Sequence, residues 1–278
     1  MRIENKNIKV LIAGGCSFTQ IPVYSFTEGF ETKIVPKQTI KNIFDSGNID
    51  SKVRITWPIH LSLLISCSSI FEGRGACGNG IISRSIIEAT EFALKKYEPE
   101  EILVGVMWSG RDRGEYFFND KPNYTYDNLG GQKFKYYKNP MNITTKANYY
   151  ITNSHWNDEI SKHYYSYYDD HGATQKTLEH ILRIQWYLKN KNIKYSFSEY
   201  HCDVLPKTEE YTNHPDLKTL YELLDMDNFL PCTNCYDWCL DFGSYEYLEM
   251  HGHHPSSEQS LEFTEKVIIP HLITKKIL

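Results

Sequence analysis

The sequence predicts an α/β fold, a three-layer α/β/α sandwich built around a central parallel sheet. Short apolar runs rich in β-branched residues alternate with longer segments whose apolar residues recur every three or four positions. This alternation is typical of parallel sheets flanked by helices. The chain has 278 residues, of which 41% are hydrophobic, and is long enough to bury one sizeable core. We therefore expect a single domain over residues 1–278 that carries a large insertion.

Two strands and a helix are predicted in the first quarter of the chain. Residues Asn7 to Ala13 form an apolar run that a pair of glycines closes, which predicts a buried first strand ending in a tight turn. Trp57 begins a helix, and Pro58 suits the first turn of that helix. Ser69 to Phe71 is the candidate second strand.

A glycine-rich loop, a helix and a third strand follow. The loop contains Gly73, Gly75, Gly78 and Gly80. Beyond the loop, apolar residues at steps of four and three mark one face of a helix, namely Ile82, Ile86, Ala89 and Ala93. Ile102 to Trp108 is a continuous apolar run, as expected of a central strand that is covered on both faces.

The second half of the chain contains the predicted insertion. Residues 114–172 lack periodicity and are too many for an ordinary connection, so we interpret them as a functional or oligomerising insertion. Its many tyrosines could line a carbohydrate-like groove or pack onto the core. Beyond it, Thr174 to Leu188 predicts a helix, Ile193 to Ser198 a fourth strand, and Ser256 to Thr274 a last helix with a serine N-cap.

Composition excludes several classes of partner. The net charge is -5 and no long run of Lys or Arg occurs, so we expect no nucleic-acid partner. No apolar run is long enough to span a bilayer, and the polar N-terminus lacks the pattern of a signal peptide. An odd count of seven cysteines fits a reducing compartment. We therefore predict a cytoplasmic protein, of a cell or of a virus-infected host, and leave the oligomeric state open.

Ser17 is the candidate nucleophile. Ligands of open α/β sheets bind outside the carboxyl ends of the strands, where Ser17, the glycine loop and residues 109–113 should converge. A serine hydroxyl needs a neighbouring base and donors that stabilise the oxyanion. The strongest source of a base is the His-Gly-His-His-Pro-Ser-Ser segment at 251–257, directly before the last helix.

Three short blocks resemble those of SGNH/GDSL hydrolases. Residues 15–19 (Gly-Cys-Ser-Phe-Thr) resemble the first block, and residues 73–79 (Gly-Arg-Gly-Ala-Cys-Gly-Asn) look like the second. His254-Pro255-Ser256 is similar to the last block, an Asp-x-x-His followed by Pro and a helix. The blocks come in the family's order and span most of the chain. The set looks most like SGNH-like proteins encoded by tailed phages, and it implies an SGNH/flavodoxin-like sheet.

The resemblance also implies a reaction. It implies a serine esterase or deacylase that forms an acyl-enzyme on Ser17 with His254 as base. The substrate would be a small ester or acyl group, such as an O-acetyl group on a glycan or a metabolite, and no cofactor would be required. The oxyanion hole would combine the Ser17 amide with the amide of Gly75 or Gly78, and the Asn79 side chain could add a donor.

Two departures from the family pattern bear on activity. The family's aspartate falls on His251, and an imidazole cannot orient an imidazolium as a carboxylate does. Another acid could substitute, the enzyme could act as a Ser-His dyad, or catalysis could have decayed. The candidate acids are Glu249, Asp241 and Asp112.

The second departure is in the third block, where the family's Gly-x-Asn-Asp is replaced by Ser-Gly-Arg-Asp-Arg at 109–113. Ser109 or Arg111 could donate to the oxyanion instead. Arg111 or Arg113 could also bind a substrate carboxylate or phosphate by a bidentate fork, or Arg113 could simply pair with Asp112. The alternative to an enzyme is a catalytically degenerate binding or structural module with the same fold.

Three cysteines near the C-terminal part of the chain suggest a zinc site. Cys232 and Cys235 have the spacing of structural zinc sites, and Cys239 lies one helical turn further on. A structural zinc at these cysteines would take its fourth ligand from His201, Cys202 or His251. The alternative is three ordinary reduced cysteines. Cys16, beside the candidate nucleophile, is expected to point into the core.

Overall fold

The structure, a computed structural model, describes residues 7–21, 32–49, 55–75, 77–118, 137–138, 148–151, 159–202, 204–206, 211, 213–232, 234–242 and 254–278. In chain order its strands and α-helices are β1 (Val10–Gly15), α1 (Lys37–Ile49), α2 (Trp57–Ile65), β2 (Ser68–Gly73), α3 (Asn79–Ala93), β3 (Ile102–Trp108), β4 (Glu115–Phe118), β5 (Tyr137–Lys138), β6 (Asn148–Ile151), α4 (Glu159–Ser166), α5 (Asp170–Asn190), β7 (Lys194–Glu199), α6 (Pro215–Glu222), α7 (Cys235–Phe242), α8 (Ser257–Phe263) and α9 (Ile269–Thr274).

The main sheet has four parallel strands in the order β2-β1-β3-β7. The predicted α/β class is therefore confirmed. The sheet order reverses at β1, because β2 lies on one side of it and β3 on the other. Strand β1 continues past the predicted Ala13 through both glycines, and Gly15 pairs with Gly73 and Met107. All four carboxyl ends meet at one edge of the sheet, and the order reversal lies beside the end of β1.

Two hydrophobic clusters pack against the sheet. Val10 and Ile12 belong to one cluster, which includes the apolar residues Ile82 of α3 and Leu178 of α5. Leu11 and Ala13 belong to the other cluster, together with side chains of α2, α7, α8 and α9. Because successive strand residues point to opposite faces, the two clusters lie on opposite faces of β1.

The predicted insertion contains a second, small sheet. Its three antiparallel strands have the order β4-β6-β5, and Glu115 pairs with Ile151 at one end of the ladder. Helix α4 follows them. Strands of two to four residues are too short for a period of two to stand out in the sequence, which is why these strands were not predicted within the segment 114–172.

The predicted last helix is interrupted. A π-helical segment, Thr264–Ile268, separates α8 from α9, and Pro270 occupies the first turn of α9. Proline lacks an N–H, and its ring collides with the carbonyl four residues earlier, so a widened turn before Pro270 has a direct physical reason. Among the described helices, none is both long and apolar enough to cross a membrane.

Candidate active site

Ser17 lies in a tight turn at the carboxyl end of β1. The backbone N–H groups of Thr19 and Gln20 both donate to the Cys16 carbonyl, at 3.0 and 3.1 Å. Gly15 has φ +155°, and a Cβ there would overlap the Thr19 hydroxyl. This glycine therefore permits the abrupt change of direction that leaves Ser17 at the edge of the sheet.

Helix α2 holds the same turn from the other side. The indole nitrogen of Trp57 donates to the Thr19 hydroxyl at 3.2 Å, and the Thr56 hydroxyl donates to the Thr19 carbonyl at 3.4 Å. Cys16 is fully buried, which confirms its predicted place in the core. The turn that carries Ser17 is thus held by the contacts of Thr19 after it and by the burial of Cys16 before it.

His254 lies directly before α8, whose first turn is fixed by a capping box. The Gln259 amide donates to the Ser256 hydroxyl, the Gln259 side-chain oxygen accepts from the Ser256 amide, and both distances are 2.9 Å. The backbone N–H of Ile55 donates to the Ser257 hydroxyl at 2.9 Å, and His60 Nε2 lies 3.0 Å from the Ser257 carbonyl. The segment that carries His254 is therefore anchored to the start of α2.

The structure brings Ser17 and His254 together. His254 Nε2 lies 2.7 Å from Ser17 Oγ, although 237 positions separate the two residues in the sequence. The imidazole also packs on Phe18, with ring centroids 5.0 Å apart. A hydroxyl and an imidazole nitrogen at hydrogen-bond distance can act as a nucleophile and its base.

The predicted glycine loop passes close to the Ser17 turn. A Cβ on Gly73 would lie 2.5 Å from the Thr19 carbonyl carbon, and one on Gly75 would lie 2.7 Å from Gln20 Oε1. The Arg74 amide donates to the Gly15 carbonyl at 3.0 Å. The absence of side chains at both glycines is what lets the loop approach the turn this closely.

A buried ion pair fixes the start of this loop. The Arg74 guanidinium donates to Glu72 Oε2 at 2.9 Å, and the Thr32 hydroxyl donates to Glu72 Oε1 at 3.1 Å. Arg74 and Glu72 are only 4% and 6% exposed. Burial raises the pKa of Glu72, and the Arg74 charge and the hydrogen bonds oppose that rise. Glu72 and Arg74, separated by Gly73, gave no signal of such burial in the sequence, because charged side chains are mostly exposed unless a partner is present.

Two of the predicted oxyanion donors, Asn79 and Ser109, are engaged with each other. Asn79 Nδ2 donates to the Ser109 carbonyl at 2.9 Å and to the Thr177 hydroxyl at 3.3 Å, while its Oδ1 accepts from the Ser109 amide at 2.8 Å. Both residues are buried. These contacts join the start of α3 to the end of β3, and they use both amide hydrogens of Asn79.

The remaining predicted donors lie along the loop after β3. Gly78 is the N-cap of α3, and a Cβ there would overlap the Arg113 carbonyl oxygen. Arg111 donates to the Thr174 hydroxyl at 2.9 Å, which directs its guanidinium towards α5. The Tyr165 hydroxyl of α4 donates to the Asp112 carbonyl at 2.5 Å. The loop is therefore tied to α3, α4 and α5.

Arg113 adds a positive charge beside an aromatic cluster. Its guanidinium donates to the Ser109 hydroxyl at 2.8 Å and stacks over the Tyr200 ring at 4.9 Å. Tyr200 contacts Phe18 edge-to-face at 5.2 Å, and Tyr236 lies 6.5 Å from Phe18. Sequence reasoning missed Tyr200, although it directly follows the fourth strand, where the convergence of strand ends could have indicated it.

The candidate acids for the third position of a triad lie in different parts of the chain. Glu249 and His251 lie outside the described residues. Asp241 is an exposed residue of α7, and Asp112 lies in the loop after β3. The predicted role of a substitute acid therefore stays a prediction.

One group of potential metal ligands lies away from the three cysteines. Among the residues that the structure describes, the group of three ligand atoms within 4.8 Å of one another belongs to His171, His214 and Asp216. Cys232, Cys235 and Cys239 are not drawn together in this way. Burial raises the pKa of the Cys232 thiol to about 12 and that of Cys235 well above its ordinary value.

Comparisons with known proteins add no relative. No family model matches the chain, and neither the curated proteins nor the solved structures contain a match to it.

Proposed function

We propose that the protein is a serine hydrolase of the SGNH type that cleaves a small ester or acyl group. The observation that carries the proposal is the 2.7 Å contact between Ser17 Oγ and His254 Nε2. Its place supports the proposal too, because Ser17 follows the strand at which the sheet order reverses. The three sequence blocks occur in the same order as in SGNH hydrolases. The proposed reaction class rests on this resemblance.

The reaction begins with the unprotonated Nε2 of His254, which accepts the proton of the Ser17 hydroxyl as Oγ attacks the acyl carbon. A tetrahedral oxyanion forms, and the alcohol leaves with the proton from His254. Water, deprotonated by His254, then cleaves the acyl-enzyme and releases the acid and free Ser17. The backbone amide of Ser17 and that of Gly75 or Gly78 in the glycine loop are the proposed oxyanion donors.

The surroundings of the pair favour a substrate with polar or anionic groups next to the ester. Arg113 stacks on Tyr200 and supplies a positive charge there. Phe18 contacts both Tyr200 and His254, so a continuous row of side chains connects Arg113 to the Ser17–His254 pair. Amphipathic tyrosine faces suit sugar rings as well as metabolites. An O-acetylated glycan or metabolite is therefore the proposed substrate, in a cytoplasmic setting and without a catalytic cofactor.

Labelling with a fluorophosphonate tests the proposal. Such probes phosphonylate an activated serine, so we expect one label per chain, which mass spectrometry should locate on Ser17. Ser17→Ala should not label, and His254→Ala should label about a thousandfold more slowly. Ser166→Ala, which removes an exposed serine hydroxyl of α4, is the matched control and should label as the wild type does.

Hydrolysis of a generic acetate ester separates the proposal from the binding or structural module. The module predicts equal background turnover by the wild type and by His254→Ala. Equal fluorophosphonate labelling of the wild type and of Ser17→Ala would contradict the assignment of Ser17 as the nucleophile. Two departures from the family pattern favour this second function. They are His251 in place of the aspartate and the replaced third block at residues 109–113.

A further inference from the structure

We propose that His171, His214 and Asp216 form a binding site for one divalent transition-metal ion of the Zn²⁺ type. Their ligand atoms all lie within 4.8 Å of one another. His171 Nε2 is 2.7 Å from Asp216 Oδ2, and the two imidazole rings meet edge-to-face with centroids 4.6 Å apart. The site shares no residue with the Ser17–His254 pair, so the proposal is independent of the proposed hydrolase activity.

Two packed helices position the three side chains. His171 lies in the first turn of α5, which begins at an Asp169 N-cap. His214 directly precedes α6, and Asp216 lies in the first turn of that helix. Helix α6 packs against α5, and Gln185 of α5 donates to the Leu223 carbonyl at 2.9 Å where α6 ends. The ligands are therefore brought together by fixed backbone elements from distant parts of the sequence.

The donor set matches the chemistry of Zn²⁺ and its neighbours. Two imidazole nitrogens and a carboxylate oxygen are typical ligands of these ions, and three protein ligands leave coordination positions for water. All three side chains are at least partly exposed, which allows an ion to enter from solvent.

A simple ion pair explains only part of this arrangement. It would account for the contact between His171 and Asp216, but not for the His214 ring beside them. His214 precedes α6 without forming a side-chain cap to that helix. The second imidazole, 4.6 Å from the first between ring centroids, completes a set of three donors that one cation can bridge.

The proposed ion would link α5 to the segment that follows β7. That segment is the part of the chain for which a structural zinc on cysteines was expected. The donors that converge there are His214 and Asp216, not the thiols of Cys232, Cys235 and Cys239. Binding to the folded state would raise the stability of the whole chain with increasing free metal.

Metal titration of the full-length chain tests the site. The protein is stripped with a chelator, dialysed and titrated with Zn²⁺ in competition with a chromophoric chelator. We expect one ion per chain, with an affinity that falls at least about 10- to 100-fold in His214→Ala and in Asp216→Asn. The controls are His163→Ala, which removes an exposed histidine of α4, and the double variant Cys232→Ser, Cys235→Ser; both should bind as the wild type does.

Co²⁺ spectroscopy distinguishes the donors. Bound to nitrogen and oxygen, Co²⁺ should show visible ligand-field bands without the intense near-ultraviolet charge-transfer band of thiolate ligands. Circular dichroism of each variant checks that the fold is intact, which is needed most for the cysteine variant because Cys235 is buried. Absence of Zn²⁺ binding by the wild type, unchanged affinity in both ligand variants, or loss of binding in the cysteine variant would each overturn the proposal.

Discussion

Asn79 joins two loops at the edge of the sheet through both ends of its carboxamide. The oxygen accepts from the Ser109 amide, and the nitrogen donates to the Ser109 carbonyl and to the Thr177 hydroxyl. Because Asn79 and Ser109 are buried, water does not readily replace a lost partner. The Asn79 side chain thus fixes the end of β3 relative to the start of α3. The glycine loop leads into α3 and the Arg113 loop follows β3, so both loops are held by this contact.

Asn79→Ala should therefore destabilise the fold. It leaves the Ser109 amide and carbonyl unpaired, and each buried unpaired group costs about 1–3 kcal/mol. We expect the free energy of unfolding to fall by about 2–4 kcal/mol in denaturant titrations. Thr177→Val removes only the longer contact and should cost about 1 kcal/mol. Unchanged stability combined with abolished ester turnover would instead identify Asn79 as a direct oxyanion donor.

Single residues were predictable where a short local pattern defined their place. Ser17 follows a β-branched run and two glycines, and His254 precedes a proline and a serine cap, so both could be located from their neighbours alone. Tyr200, Arg74 and the three proposed metal ligands depend on contacts between distant segments. No local periodicity encodes a meeting of His171 with His214, since it arises only when α6 packs against α5.

At the scale of elements, the start of α8 connects the stability of a helix to the geometry of the site. The Ser256–Gln259 capping box pairs two orphan amides, and the Gln259 side-chain nitrogen donates to the Cys239 carbonyl at 2.9 Å. The cap therefore links α8 to α7. His254 is two residues before the capping serine, so its ring position depends on how firmly this turn is closed.

Ser256→Ala should weaken both the helix and the contact between Ser17 and His254. Loss of an N-cap hydroxyl costs about 0.5–2 kcal/mol, and the loosened turn should slow fluorophosphonate labelling of Ser17. Ser256→Thr retains a capping hydroxyl and should restore most of both properties. Thermal unfolding and labelling rates measure the two effects. A destabilised Ser256→Ala protein that labels at the wild-type rate would show that the cap does not position His254.

Elements were predictable in proportion to their length and burial. The four parallel strands lie where the sequence predicts them, within a few residues. Strands β1 and β3 are apolar and buried throughout, whereas β2 and β7 mix apolar with polar residues and have half-buried ends. The short antiparallel strands β4, β5 and β6 have no comparable pattern, and the π-helical turn before Pro270 is a local adjustment inside an otherwise helical pattern. The small sheet depends on pairing between backbones, and the π-helical turn depends on the constraint imposed by Pro270. Neither can be predicted from the spacing of apolar residues in the sequence.

At the scale of the whole molecule, the buried His60 and the half-buried His180 are expected to couple folding to pH. Burial lowers the pKa of His60 to about 4, although its hydrogen bonds to backbone carbonyls and the charge of Glu258 act in the opposite direction. Burial also lowers the pKa of His180 to about 4, and the positive charges of Arg183 and Arg84 add to this effect. His60 contributes its contact with the Ser257 carbonyl in the neutral form, with Nε2–H as the donor.

The sign of the pH dependence follows from these directions. The unfolded chain binds a proton on each histidine near the ordinary pKa of 6.5, whereas the folded chain resists protonation until about pH 4. Between those values the unfolded state holds more protons, so stability falls as the pH falls. Above pH 6.5 the two histidines are neutral in both states and cause no pH dependence, and below about pH 4 their effect levels off.

His60→Gln should therefore flatten the stability profile in this acid window. Glutamine can still donate to the Ser257 carbonyl but does not titrate, so the fall in unfolding free energy, of the order of 1 kcal/mol per pH unit for one histidine, should be removed. His180→Gln should remove a similar share, and His163→Gln, at an exposed position of α4, should leave the profile unchanged. Urea titrations at a series of pH values measure it. A His60→Gln profile parallel to that of the wild type from pH 6.5 to about 4 would show that this buried imidazole does not couple protonation to unfolding.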